Sequence, residues 1–369
     1  MKGVFRIALL ASCLASASID ALAAEGAKFA QVLEPAPIVF PRDHGPHPEV
    51  RQEWWYFTGN LDGAKGERFG FELTFFRVAL APGLERKDGP QHKDWRARQF
   101  YFAHFAVTDR DRRAFHSSQR FARDALDLAG AQDDPFHVWL QSWSVQQDPA
   151  SGSKPVWILK AADAAYALEL RLEPGTPVLN GERGFSRKSA EPGAASYYYS
   201  IPRLKVSGSL KHQGQDLSVS GLAWLDREWG SGVLGAHEEG WDWFALQLDD
   251  GSSLMYYRLR KRGGQTDQHS AGTWIESSGT SSALTGRALA ITSSSSWKSP
   301  RGGLYPARWR LQLGSQQLDI EVHPILADQE LTVSPRYWEG AVDVRGTRAG
   351  QPVAGRGYVE LVGYARDRE

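Results

Sequence analysis

From Glu53 to the C-terminal strands, the chain is written as short apolar and aromatic runs. Turn residues break it at intervals of roughly 8–15 residues, the rhythm of a barrel or sandwich. Glu53-Trp54-Trp55-Tyr56-Phe57-Thr58-Gly59 and residues 69–77 lie either side of an Asp62-Gly63 turn and predict a hairpin. Further strands are predicted at 99–108, 137–145, 156–160, 165–172, 197–200 and 217–224. The rhythm restarts near residue 235, with a hairpin of 241–248 and 254–260 about Asp249-Asp250-Gly251. Strands then follow at 308–313, 318–323, 340–345 and 353–362. Residues 277–282 and 293–296 read as polar loops, and 121–128 as a helical turn. No stretch keeps a helical apolar period beyond about 12 residues, so the expected fold class is all-β.

Length changes this picture first: 369 residues suggest about two domains. The expected division is 1–24, a signal peptide; 25–44, an extended lead-in with Pro35, Pro37 and Pro41; 45–234; and 235–369. Lys2 and Arg6, the short apolar run 7–17 and Ala21-Leu22-Ala23 make the export signal, which places the protein in the periplasm or envelope. Leu10-Ala11-Ser12-Cys13 also reads as a lipobox, so attachment to a membrane is expected only through a lipid on Cys13. Cys13 is the single cysteine, which leaves the mature body without a disulfide, a thiol nucleophile or a cysteine metal ligand. With 43 basic and 43 acidic residues and no polybasic run, nucleic acid is not an expected partner.

The 14 tryptophans stand beside carboxylates. In Trp224-Leu225-Asp226-Arg227-Glu228-Trp229, strand alternation puts Trp224, Asp226 and Glu228 on one face. Two buried carboxylates at i and i+2 cannot both ionise freely, and one that keeps its proton at neutral pH can serve as a general acid. The alternative is a structural ion pair, with Arg77 the candidate partner. Glu53, Trp55 and Phe57 share another face, read either as a barrel core or as part of a ligand cavity with Glu53 and Trp55. Trp241 and Trp243 share a third, and Tyr197 and Tyr199 a fourth. His104 sits in an apolar strand, where a satisfied core histidine is the usual finding. His44 and His47 lie in a Pro/Gly loop with no third ligand in sight, so no metal site and no cofactor is expected. No serine-hydrolase elbow or nucleotide fingerprint is present.

Several motifs, in order, resemble the carotenoid 1,2-hydratase/AttH family of exported lipocalin-like proteins: Asp43-His44-Gly45, Glu53-Trp54-Trp55-Tyr56, Leu73 to Arg77, Ala103-His104-Phe105-Ala106, Ala195 to Ser200, Asp226 to Trp229, Gly240 to Phe244, Tyr337 to Gly340 and Gly357 to Leu361. The resemblance runs from about residue 40 to the C-terminus. It implies two lipocalin-like β-barrels packed together and a hydrophobic, terpenoid- or lipid-like ligand. Characterised relatives include hydratases of isolated alkenes and cyclases of polyenes, and exported members often accompany an ABC-type permease. The expected activities are therefore acid-catalysed alkene hydration or isomerisation, or non-enzymatic binding for such a transporter. The resemblance implicates Asp226 in catalysis; Tyr197 and Tyr199 stand where the hydratase branch has a His-x-Trp pair, and Trp224 where it has a tyrosine. The expected catalytic set is Asp226, Glu228 and Tyr199. The expected ligand-binding set is Glu53, Trp55, Arg77, His104, Tyr197, Trp224, Trp241 and Trp243.

Overall fold

The computed structural model describes residues 28–82, 97–152, 154–230, 232, 234 and 238–365. The export signal and Cys13 lie outside the described residues. The first sheet comprises β1 (Gln52–Gly63), β2 (Arg68–Ala79), β3 (Gln99–Asp109), β4 (Ala114–Arg123), β5 (Ala129–Gln132), β6 (His137–Leu140), β7 (Trp143–Gln147), β8 (Trp157–Ala162), β9 (Tyr166–Glu173), β10 (Val178–Leu179), β11 (Phe185–Arg187), β12 (Ala195–His212) and β13 (Gln215–Gly230). Its order is β4-β3-β2-β1-β13-β12-β9-β8-β7-β6-β5, with β10 and β11 also on β12. The second sheet comprises β14 (Glu238–Leu248), β15 (Ser253–Lys261), β16 (Ala271–Ile275), β17 (Ser281–Thr285), β18 (Leu289–Lys298), β19 (Leu304–Leu313), β20 (Leu318–Pro324), β21 (Glu330–Leu331), β22 (Tyr337–Arg348) and β23 (Gln351–Leu361). It runs β17-β16-β15-β14-β23-β22-β20-β19-β18.

The fold is thus all-β and lipocalin-like, a nearly closed barrel beside a half-barrel. Side chains bridge the open seam of the first sheet. From β4, His116 Nε2 and Ser118 Oγ each reach Asp163 Oδ2 at 2.8 Å, and Arg120 donates to Ser142 Oγ and the Ala162 carbonyl. The predicted hairpins are present, β1 with β2 and β14 with β15. Four local expectations are corrected. The single strand expected at 137–145 is two, β6 and β7, paired about a turn at Gln141-Ser142. Residues 121–123 finish β4, and only Ala125–Asp127 form a 3-10 turn. The serine-rich stretches 277–282 and 293–296 run into or lie within β17 and β18, mostly exposed, where cross-strand backbone pairing holds polar residues in strands despite their low propensity.

Three apolar layers result. Trp55, Phe57, Leu73, Phe105, Trp143, Trp157, Leu170 and Tyr199 fill the first barrel. The lead-in stops one end: a 3-10 turn at Arg42–His44 places His44 Nδ1 2.7 Å from the Tyr199 hydroxyl and its ring against Trp157. Phe244, Tyr256, Trp274, Trp309, Trp338 and Val359 fill the concave side of the second sheet. A third layer, with Tyr56, Tyr198, Trp224, Trp243, Met255, Tyr257 and Tyr358, lies between the sheets. Asn60 Nδ2 donates to the Gly357 carbonyl at 3.0 Å, Gln247 Nε2 to the Pro202 and Ala223 carbonyls, and Arg68 pairs with Asp343 across this boundary.

Candidate functional site

Register decides which side chains meet. On one flank of β13, β1 sets Tyr56 opposite Asp226 and Trp54 opposite Glu228. On the other, β12 sets Ser200 opposite Asp226 and Tyr198 opposite Glu228. Residues directly opposite share a face, so these groups and Trp224 form one wall turned to the second sheet. Trp241 and Trp243 of β14, Tyr257 and Leu259 of β15 and Glu360 of β23 form the facing wall. Between the walls lies a cavity of about 160 Å³, flanked by Phe76, Phe102, His104 and Tyr337.

Asp226 is buried in the first wall. Its Oδ1 accepts bonds from Ser200 Oγ at 2.5 Å and Trp224 Nε1 at 2.7 Å, and its Oδ2 accepts from the Tyr198 hydroxyl. Trp243 Nε1 donates to that same hydroxyl at 3.2 Å, which orients the Tyr198 O–H toward Asp226. Burial pushes the Asp226 carboxyl up from 3.8 to about 6, against these three bonds, and the charge of Glu228 adds to the rise. Burial is the larger cause and like charge the smaller. Arg77 is not the partner of either carboxylate. Glu228 accepts from Ser196 and pairs with Lys188, whose Nζ lies 3.1 Å from Oε1 and 4.0 Å from the Tyr257 ring centre. Burial, the largest single influence, would lower the Lys188 pKa; the charges of Glu228 and Tyr257 and hydrogen bonds to both together hold it above its ordinary value.

Glu360 borders the same cavity and accepts a 2.8 Å bond from Trp241 Nε1. Burial pushes it from 4.5 to about 7, with the charges of Asp226 and Glu228 adding to the shift. Deeper between the sheets, the Tyr56 hydroxyl donates to Glu339 and Thr74 Oγ1 donates to Glu72 Oε1. The second oxygens of Glu72 and Glu339 are buried with no hydrogen-bond partner among the described residues. Burial drives both carboxyls well above the usual range.

The structure brings Asp226, Glu228, His104, Trp241 and Trp243 together at the cavity, with Trp224 held against Asp226. His104 Nδ1 lies 2.8 Å from the Tyr337 hydroxyl, and burial lowers its pKa to about 3, so the ring is neutral. Glu53 and Arg77 border the cavity, but their charges are engaged elsewhere. Glu53 pairs with both Arg77 and Arg227 and accepts the His47 backbone N–H. Burial would raise the Glu53 pKa, but the two guanidiniums hold it well below the carboxylate range. Trp55 and Tyr199 face the filled barrel interior, so the expectation of Trp55 in a ligand cavity and of Tyr199 beside Asp226 is corrected by strand parity. Tyr197 points to the lead-in and donates to the Glu34 carbonyl at 3.0 Å. Tyr198, Lys188, Tyr56 and Glu360 are the site groups that sequence reasoning passed over. A count back from the Gln213-Gly214 turn with one bulge allowed would have found Tyr198.

The fold has known counterparts. The crystal structure of an AttH protein from Nitrosomonas europaea superposes with a TM-score of 0.80 and 35% identity, covering 91% of this chain and 100% of that one. Kievitone hydratase from Nectria haematococca shares the fold at a TM-score of 0.66 and 17% identity, over 91% of this chain and 98% of its own. CghA, solved with Sch210972, is more distant at 0.50 and 14%, over 86% and 90%. No curated protein matches the chain. The AttH-like family model matches residues 31–364, nearly the whole described length, and the chain belongs to the AttH-like family.

Proposed function

We propose that the protein takes an apolar, alkene-bearing small molecule into the inter-sheet cavity and adds water across the double bond by acid–base catalysis. The observation that carries this reading is Asp226, a buried carboxyl with a pKa of about 6, on the wall of a cavity rich in aromatic rings. A carboxyl that exchanges its proton near neutrality suits protonation of a weak base such as C=C, or removal of a proton from the attacking water. The tertiary cation formed between these steps would lie among the Trp54, Trp241, Trp243 and Tyr56 rings, each able to stabilise a desolvated cation by about 2 kcal/mol. Volume sets the scale of the guest: a dry apolar cavity of roughly 150 Å³ accommodates benzene. A cavity of about 160 Å³ therefore suits one ring or one prenyl group rather than a whole polyene. The hydratase named among the structural neighbours supports the same reaction type.

Export belongs to both readings; the second, service to an envelope ABC-type permease as a lipid or terpenoid carrier, is favoured by the predominantly apolar lining. Incubation with prenylated phenols and with extracted envelope lipids, followed by mass spectrometry, separates the two. Hydration predicts a product heavier by one water; an unchanged ligand that co-purifies with the protein would replace it with the carrier.

A further inference from the structure

The cavity holds two carboxyls on opposite walls, and their surroundings differ. Asp226, from β13, receives three donors: Ser200 Oγ, Trp224 Nε1 and the Tyr198 hydroxyl. These three are all donors, the environment of an acceptor. Three donors favour its ionised form, and the Tyr198 hydroxyl is held in its donating orientation by Trp243. Glu360, from β23, receives one side-chain donor among the described residues, Trp241 Nε1 on Oε2. Its side chain is only partly buried and borders the cavity. A carboxyl with one donor has an oxygen left to carry a proton toward a guest.

We propose that Glu360 is the proton donor of the cavity and that Asp226, ionised, is its base. This rests on the hydration reading above and assigns its two proton-transfer roles. The Glu360 O–H bond breaks as its proton and the alkene π pair form the new C–H bond, which leaves the cation on the more substituted carbon. Water bonds to that carbon through oxygen, and the proton it sheds passes to the Asp226 carboxylate. Return of that proton to Glu360 through solvent completes the cycle, and the net change is one water added. The pKa order agrees: a donor near 7 facing a base near 6 gives both groups their working protonation state between those values. The groups that face the pair from neighbouring elements are Glu228 on β13, Lys188 against it, Tyr198 on β12, Tyr56 on β1, Glu72 on β2, His104 on β3, Tyr257 on β15 and Glu339 and Tyr337 on β22. Burial holds the Glu72 and Glu339 carboxyls well above the usual range.

Infrared difference spectra of the unliganded protein, titrated from about pH 5 to about pH 8, test the assignment without turnover. Two carboxylic carbonyl bands should bleach in turn. Glu360→Gln should remove the later step and Asp226→Asn the earlier one. If Glu360→Gln instead removes the earlier step, or no step, the donor assignment is overturned. With para-prenylphenol as the probe, Glu360→Gln should lower kcat by about 10²–10⁴ while KM changes less than about threefold, and Glu360→Asp should restore part of kcat. Full turnover by Glu360→Gln overturns this proposal and leaves hydration standing. No turnover by the wild type while the two bands titrate as described removes the hydration reading, and the donor role falls with it. Trp241→Phe, which deletes the bond favouring ionised Glu360, should move the alkaline limb of the kcat profile upward; an unmoved limb contradicts the donor role.

Discussion

Asp226 should weaken the fold that holds it. Its carboxyl rises from 3.8 to about 6 on burial, so the folded protein resists ionisation there. At about 1.36 kcal/mol per pH unit, the ionised site costs about 3 kcal/mol of stability. The folded pKa is raised, so the favourable condition is low pH: stability is intact below about 4 and lost as pH climbs through about 6. Asp226→Asn substitutes an isosteric group that never ionises. Relative to the wild type, the variant should gain about 3 kcal/mol as pH rises from about 4 to above 7. A pH-independent offset opposes it, because the Asn Nδ2 donor faces the Tyr198 hydroxyl, which now donates to Oδ2, and one mismatched hydrogen bond costs about 1–3 kcal/mol. Urea denaturation followed by tryptophan fluorescence at a series of pH values measures the difference. A difference that stays flat with pH refutes the reasoning. A stabilised but inactive variant would mark Asp226 as a site held for chemistry at the expense of the fold.

Other perturbations follow from the same arrangement. Glu339→Gln and Glu72→Gln replace buried carboxyls whose pKa values lie well above the ordinary range, so each should stabilise the protein increasingly as pH rises above about 5, read by the same denaturation series. Arg227→Met removes one of the two guanidiniums on fully buried Glu53 and should cost about 3–5 kcal/mol, measured by chemical denaturation. Glu228→Gln removes a charge that raises both Asp226 and Glu360, so both infrared titration steps should shift to lower pH.

Much of this was legible in the chain. The alternation in Trp224-Leu225-Asp226-Arg227-Glu228-Trp229 places Asp226 and Glu228 on one face and Arg227 and Trp229 on the other, as the structure has them. Trp241 and Trp243 likewise meet the cavity together. The tyrosines were misassigned for a local reason. The β12–β13 hairpin carries a register shift between Ile201 and Leu204, around Pro202, which has no N–H to give the ladder. A one-residue slip exchanges the faces of everything beyond it. Without the bulge Tyr199 would oppose Glu228; with it Tyr198 does, and Tyr199 turns into the barrel against His44. The bulge is a property of the folded ladder, and alternation along a single strand does not register it. Glu360 and Lys188 were hidden differently. No second carboxylate within two residues marks either, and each becomes a site only when a strand distant in sequence supplies Asp226 or Glu228 opposite it. Glu53 showed the reverse: a carboxylate beside tryptophans, yet its burial between Arg77 and Arg227 makes it a structural ion pair.

The most direct test of the central claim is turnover of para-prenylphenol by wild type and Asp226→Asn in heavy-oxygen water, followed by mass spectrometry. The account predicts a tertiary alcohol that carries one heavy oxygen, formed by the wild type and reduced about 10²–10⁴-fold in the variant. Recovery of the phenol unchanged from a saturated wild-type complex, or an equal yield of alcohol from both proteins, would contradict it.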